Sequence, residues 1–355
     1  MYIRRSAAVK YFGFAFLGSI LYSEFFVYIL QPIYWNRLRC PQNDLSCTKI
    51  LFVADPQIQG ELAFEAPWSY IINWDSDRYL RSTFSVAVKH FRPDVVVYLG
   101  DLTDEGSIAT MPQFHGYVKR LFDIFDVDYP LVQIWTPGDN DIGGENEPVY
   151  KNKVEEFDKV FYQLPVITYR NVTFYKVNGI TRTFPRREED AMSKKLGIVV
   201  SHYPITSNSL FGRQVHKEIR PNIYFCAHGH DSKYVTQNED FTNRVLHRLQ
   251  SGDAALRVNF SNASLHEVHV PTCSYRMGTD QMGYGAAVLE NYDSVMRYTV
   301  FWSPKRFPYL VFYLVVLIIL IIYCLIICAK IFLMRKLVSV SRHTCASKLP
   351  LLEGA

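Results

Sequence analysis

Five short apolar runs in the middle of this chain each end in an aspartate or a histidine, and that recurrence limits the architectures open to it. LFVADPQ closes on Asp55, VVVYLGD on Asp101, and IWTPGDND on Asp139 and Asp141; IVVSHYP closes on His202, and YFCAHGH on His228 and His230. Apolar, β-branched runs without polar alternation suit strands buried on both faces, so strands are predicted over 49–54, 95–99, 132–136, 173–177, 197–201 and 223–226. Helical spacing fills 78–91 and 149–161, while 264–270 and 286–289 add strands in a more β-rich stretch after His230. The expected class is α/β, a sheet sandwich flanked by helices.

Neighbouring strands lie about 4.8 Å apart, so polar side chains at their carboxyl ends converge in one crevice. Aspartate and histidine together favour transition-series divalent cations over magnesium alone, because imidazole suits softer metals. A pair of such ions needs several ligands each and a shared carboxylate. The convergence supplies about that number.

Six other histidines, His90, His115, His216, His247, His266 and His269, fall outside these blocks and read as surface or packing residues, with His266 and His269 on a strand of the second sheet. Asp104 and Asp141 read equally well as turn formers or helix caps. The aromatic run of Trp68, Tyr70 and Trp74 reads as core packing, with a cleft for sugar or lipid headgroup as the alternative. A net charge of +4, spread without a basic run, argues against a nucleic-acid partner.

Two apolar segments flank the middle. The stretch 11–35 and the longer 309–334, which has no charge before Lys330, each exceed the roughly 20 residues that cross a bilayer's hydrocarbon core. Glu24 is costly at such depth, so it is expected to be protonated or to face the other anchor. Arg4, Arg5 and Lys10 before the first span, with Arg335, Lys336 and Arg342 after the second, put both termini in the cytosol. The predicted organisation is a cytosolic 1–10, a span over 11–35, a lumenal domain over 36–308, a span over 309–334 and a cytosolic tail over 335–355. Glycosylation acceptor sequences at Asn171, Asn259 and Asn262 all fall in the lumenal part. Of the seven cysteines, Cys40, Cys47, Cys226 and Cys273 belong to the middle segment and none has the CxxC spacing of a zinc site; Cys40 and Cys47 are close enough to pair in an oxidising compartment.

The ordered blocks DPQ, GDLTD, GDND, SHYP and HGH, over roughly 50–284, resemble the signature of calcineurin-like metallophosphoesterases: DxH, GDxxD, GNHD/E, a single histidine and GHxH. The resemblance implies a four-layer β-sandwich flanked by helices and two divalent ions, manganese being the expected metal. Carried over by position, one ion would take Asp55, Gln57, Asp101 and His230, the other Asp101, Asp139, His202 and His228, with Asp101 bridging. FVADPQIQGE, GDLTDEG, DNDIGGENEPVYKNKVEEFDKVF and PTCSYRM look most like the eukaryotic subgroup that removes ethanolamine phosphate from glycosylphosphatidylinositol (GPI) anchors. That resemblance implies a site in the endoplasmic reticulum or Golgi membrane, a GPI glycolipid or GPI-anchored protein as substrate, and cargo-transport proteins as partners.

Three positions depart from the pattern. Gln57 replaces a histidine ligand, its carbonyl oxygen being a weaker donor, and Asp139 replaces a neutral asparagine. Asn140 stands where the family has the histidine that binds phosphate and assists the leaving group; an amide donates a hydrogen bond but does not titrate near neutrality. A slow phosphodiesterase and an inactive adaptor in transport therefore both fit the sequence. A phosphoprotein phosphatase fits less well, given a lumenal site.

Overall fold

The computed structural model describes residues 2–41, 44, 46–187, 195–207, 209–260, 264–290 and 295–346. Helix α1 (Tyr2–Leu21) runs through a π-helical turn, Tyr22–Phe26, into α2 (Val27–Leu30) and a 3₁₀ turn, Gln31–Tyr34. Then follow β1 (Thr48–Val53), α3 (Trp68–Phe91), β2 (Val95–Leu99), α4 (Met111–Ile124), β3 (Val132–Thr136), the single turn α5 (Asp139–Ile142) and α6 (Lys151–Val160). The second half holds β4 (Val166–Tyr169), β5 (Val172–Lys176), β6 (Leu196–Val200), α7 (Leu210–Ile219), β7 (Ile223–Cys226), β8 (Lys233–Asn238), β9 (Val245–Arg248), β10 (Leu256–Asn259), β11 (Ser264–His269), β12 (Gly283–Glu290) and β13 (Val295–Trp302).

Two sheets result, a six-stranded one ordered β10-β13-β12-β1-β2-β3 and a seven-stranded one ordered β4-β5-β6-β7-β11-β8-β9. In the first, β1, β2 and β3 pair in parallel; in the second, β5, β6, β7 and β11 do. Apart from β11, these parallel strands are the apolar runs of the sequence, and β2, β6 and β7 are buried at every residue. They fill the space between the sheets, where Phe52 of β1 stacks on Phe225 of β7 at 4.0 Å. Burying one such ring contributes about 1.5–3 kcal/mol, so the pair fixes the two sheets face to face.

Helices cover the outer faces. Phe84 of α3 packs against Tyr284 of β12, and Phe91 against Phe301 of β13; on the other side Val215 and Ile219 of α7 cluster with Val199 and Tyr224. The layers are helix, sheet, sheet, helix, as expected. The end of α3 is set by Arg92, a left-handed residue whose N–H returns to Val88 O.

Glu24 pairs with the guanidinium of Arg78 in α3. One expectation needs correction. Trp68, Tyr70 and Trp74 are not core residues: they are 65%, 67% and 63% exposed. Trp74 lies on the face of α3 opposite Ser69, Ser76 and Leu80, which belong to its buried side.

Cys40 and Cys47 form a disulfide. Asn171, in the turn between β4 and β5, and Asn259, ending β10, are both exposed; Asn262 lies outside the described residues. Residues Arg306–Ala355 make a unit of their own, built on α8 (Phe307–Ala346), whose apolar side chains up to Met334 are almost all exposed. Gly13–Tyr34 and Phe307–Met334 are long and apolar enough to cross a membrane.

Candidate metal centre

The sequence-predicted residues meet at the carboxyl ends of the central strands. Asp55 follows β1, Asp101 follows β2, Asp139 opens α5 after β3, His202 follows β6, and His228 and His230 follow β7. Ligand atoms of Asp55, Asp101 and His230 lie within 4.8 Å of one another, and so do those of Asp139, His202 and His228. The two groups touch. His202 Nε2 is 3.0 Å from Asp139 Oδ1 and 3.5 Å from Asp101 Oδ1, and His228 Nδ1 is 3.3 Å from Asp139 Oδ1. Asp101 thus stands between the groups, where a shared carboxylate belongs.

The backbone bends sharply to aim these side chains. Asp55, Gln57, Asp101, His228 and His230 all have φ between 44° and 65°, a left-handed conformation that costs side-chain-bearing residues of the order of 1–3 kcal/mol each. Gly100 and Gly138 make room for the turn: a Cβ on Gly138 would fall inside Asp101, and one on Gly100 would meet Gly138 N and His202 Nδ1 at 2.8 Å.

Electrostatics show what the site lacks without cations. Asp55, Asp101 and Asp139 are all buried, and both Asp55 carboxylate oxygens accept no hydrogen bond. A buried carboxylate without donors or counter-charge is costly, and burial pushes the Asp55 and Asp101 carboxyls up. Burial also opposes charge on Asp139, but hydrogen bonds from His202 and His228 outweigh it and hold that carboxyl below its usual range. Burial alone would depress His202, yet Asp101, Asp139 and Asp55 around it push it up to about 10. An imidazolium there serves as partial counter-ion for the three carboxylates. Divalent cations fit the same role, and the oxygen and imidazole donors suit manganese, iron or zinc.

Neighbouring contacts orient the donors. His202 Nδ1 lies 2.8 Å from Leu99 O, which directs Nε2 toward the aspartates. Gln57 Nε2 donates to Asp101 Oδ2 at 3.2 Å, leaving its carbonyl oxygen as the donor atom for a cation. Asn140 does not point away into solvent: its backbone N–H donates to Asp101 Oδ1 and its Nδ2 to Asp101 Oδ2, both at 2.9 Å. Asp141 takes the structural role allowed for it, accepting from Leu102 N, Thr103 N, Thr103 Oγ1 and Gly138 N. Asp104 pairs with Arg276 Nη2 at 2.8 Å.

Two residues escaped the sequence reading. The Tyr203 ring lies 4.4 Å from that of His228, and burial together with Asp139 and Glu145 raises its phenol pKa. Arg276, in the PTCSYRM segment, donates to Gln57 O at 3.0 Å and so brings a cation to the edge of the centre. Their signal was adjacency, to His202 in one case and to a quoted segment in the other. A third group, Cys226, Glu267 and His269, is of another kind: Glu267 is already saturated by Ile205 N, Thr206 N and Thr206 Oγ1.

Residues 48–234 match the family described as calcineurin-like phosphoesterase. Among relatives, the chain is 30% identical over 175 residues to metallophosphoesterase 1 of Danio rerio, covering 47% of this chain and 43% of that one. It is 25% identical over 181 residues to metallophosphoesterase 1 of Ailuropoda melanoleuca, covering 50% and 45%. The chain thus spans less than half the length of these relatives. A metallophosphoesterase structure from Sphaerobacter thermophilus overlays with a TM-score of 0.36 at 14% identity, covering 73% of this chain and 89% of that one.

Proposed function

This chain belongs to the calcineurin-like phosphoesterase family, and from that premise we propose that it is a two-cation phosphodiesterase that removes ethanolamine phosphate from the glycan of GPI anchors in the endoplasmic reticulum or Golgi, aiding transport of the anchored proteins. The observation that carries the chemistry is the pair of ligand groups joined at Asp101, with the Asp55 carboxylate fully buried among them. Asp55, Gln57, Asp101 and His230 would hold one cation, and Asp101, Asp139, His202 and His228 the other; manganese is the expected occupant. When bound, such cations supply Lewis acidity toward a phosphoryl group. The chain's own residues position and donate: Asn140 fixes the shared carboxylate, and its amide together with the Tyr203 phenol provides donors for phosphate oxygens.

Three features support a lumenal placement of 36–308 between spans 11–35 and 309–334. The Cys40–Cys47 disulfide suits an oxidising compartment, Asn171 and Asn259 are exposed acceptors, and the basic flanks favour cytosolic ends. The substrate rests on the resemblance of FVADPQIQGE, GDLTDEG and PTCSYRM to the subgroup that acts on GPI anchors. The test is metal analysis of the purified full-length protein beside hydrolysis of bis(p-nitrophenyl) phosphate and of a mannose-linked phosphoethanolamine glycan. Two cations per chain, with turnover lost in a folded Asp101→Ala variant, is the expected result; bound metal without turnover on either compound would sink the catalytic reading.

That outcome would instead support a second reading, a metal-holding adaptor in transport, which the non-titrating Asn140 favours. It predicts that the Asp101→Ala variant still rescues cells lacking the protein.

A further inference from the structure

Helix α6 and the turn that follows β5 enclose a groove of about 530 Å³, within the range of about 300–1,000 Å³ usual for ligand pockets. Thr136 and Pro137, which lead into the Asp139 block, also line it. The turn is well fixed. Asn178 Oδ1 accepts Ile180 N and Thr181 N, and a Cβ on Gly179 would meet Tyr203 Cβ at 3.1 Å. Tyr203 also meets His228, so one side chain touches both the turn and a residue of the metal centre.

The lining combines aromatic surface with two opposite charges. Phe157 and Phe161 pack ring to ring at 4.6 Å and are buried, whereas Tyr162 is 80% exposed and its ring meets no other aromatic among the described residues. Lys176 is half-buried at the end of β5, and Asp158 is exposed on α6. Burial holds the Lys176 ammonium down to about 8, and the charge of Asp158 opposes that shift; the two close no ion pair among the described residues. With Oδ1 taken by the turn, Asn178 keeps the two hydrogens of Nδ2 for a ligand.

That set selects the charge of what binds. An anion would meet Asp158 and a cation Lys176, and either charge needs a polar partner once a ligand displaces water. A neutral polyol serves both, its hydroxyls donating to the carboxylate and accepting from the ammonium and the amide. A pyranose adds a face of C–H bonds, suited to an exposed aromatic ring.

We propose that this groove is a sugar subsite, binding a hexopyranose whose hydroxyls bridge Asp158, Lys176 and Asn178 and whose C–H face lies on Tyr162. Its use in seating the sugar that bears a phosphodiester rests on the phosphodiesterase reading; the binding of sugar does not.

Saturation-transfer difference NMR on the full chain in phosphatidylcholine nanodiscs tests this, with methyl α-D-mannopyranoside, sulfate and ethanolamine as separate probes. The mannoside is expected to bind, and Asp158→Asn and Lys176→Met each to raise its Kd about tenfold or more, as for loss of one hydrogen bond to a charged group. Tyr162→Ala, at an exposed position, keeps the test open should either charge variant fail to fold, and is expected to weaken binding as well. No mannoside signal, or an equal Kd in every folded variant, would overturn the proposal, as would sulfate or ethanolamine bound in its place. Binding is read without turnover. Mannoside held by a chain that leaves bis(p-nitrophenyl) phosphate intact would uphold the subsite and sink the catalytic reading, and hydrolysis without mannoside binding would do the reverse.

Discussion

Asn140 departs most from the family pattern, and its contacts say what the exchange does. With Nδ2 and the backbone N–H both on Asp101, it steadies the shared carboxylate but has no proton to give near neutral pH. Asn140→His should therefore raise kcat on bis(p-nitrophenyl) phosphate, general acid catalysis being worth about 10²–10⁴-fold, with little change in bound metal. An unchanged kcat would mean that the leaving group needs no proton at this site. Gly138 is the complementary case: a methyl group there would enter Asp101, so Gly138→Ala is expected to lower metal content and activity together, as measured by plasma emission and turnover. At this scale the sequence was explicit about residue types, because Asp and His at strand ends have few other uses in combination. It was silent about the left-handed backbone at Asp55, Gln57, Asp101, His228 and His230, since nothing in a non-glycine residue announces positive φ.

Elements were legible where an apolar run marked them, and burial alone was not enough, since β13 is buried at six of its eight residues. Strands β2, β3 and β7 fall where the apolar runs placed them, while β4, β8, β9, β10 and β13 were not foreseen. Strand β9 is exposed at every residue and β4 is at most half-buried, so neither carries a run or an alternation to detect. Helix α3 begins at Trp68, ten residues before the predicted 78–91, because its first turns put apolar residues outward and break the expected period. Strand β11 contributes a polar device instead: Glu267 accepts Ile205 N and Thr206 N, tying down the loop that leaves His202. His269 and the Thr206 donors, working against burial, hold its carboxyl below the usual range. Glu267→Ala strands two buried N–H groups, at about 1–3 kcal/mol apiece. The expected result is a clear fall in Tm by calorimetry with weakened metal retention at His202; an unchanged Tm would show that the loop is held by other contacts.

For the whole molecule, the centre is a place where folding and ligand binding oppose or assist each other. Folding gathers Asp55, Asp101 and Asp139 into a buried crevice and bends at least five residues into costly conformations to do so. The metal-free fold carries that repulsion, with His202 placed among the three carboxylates and His228 beside Asp139. Cations that bind the folded chain and not the unfolded one stabilise it by mass action, about 2.7 kcal/mol when free metal is a hundredfold above Kd. For a domain of this size that is a rise in Tm of about 5–10 °C, readable by comparing calorimetric scans in EDTA and in excess manganese. The same linkage sets a pH dependence: the ligands bind metal only when deprotonated, so protons compete. The rise in Tm on adding manganese should therefore shrink as the pH is lowered from 7.5 toward 5. The Asp101→Ala variant should show little rise at either pH, because the carboxylate between the two ligand groups is gone. Equal rises in the variant and the natural chain would place the stabilising cation elsewhere in the protein.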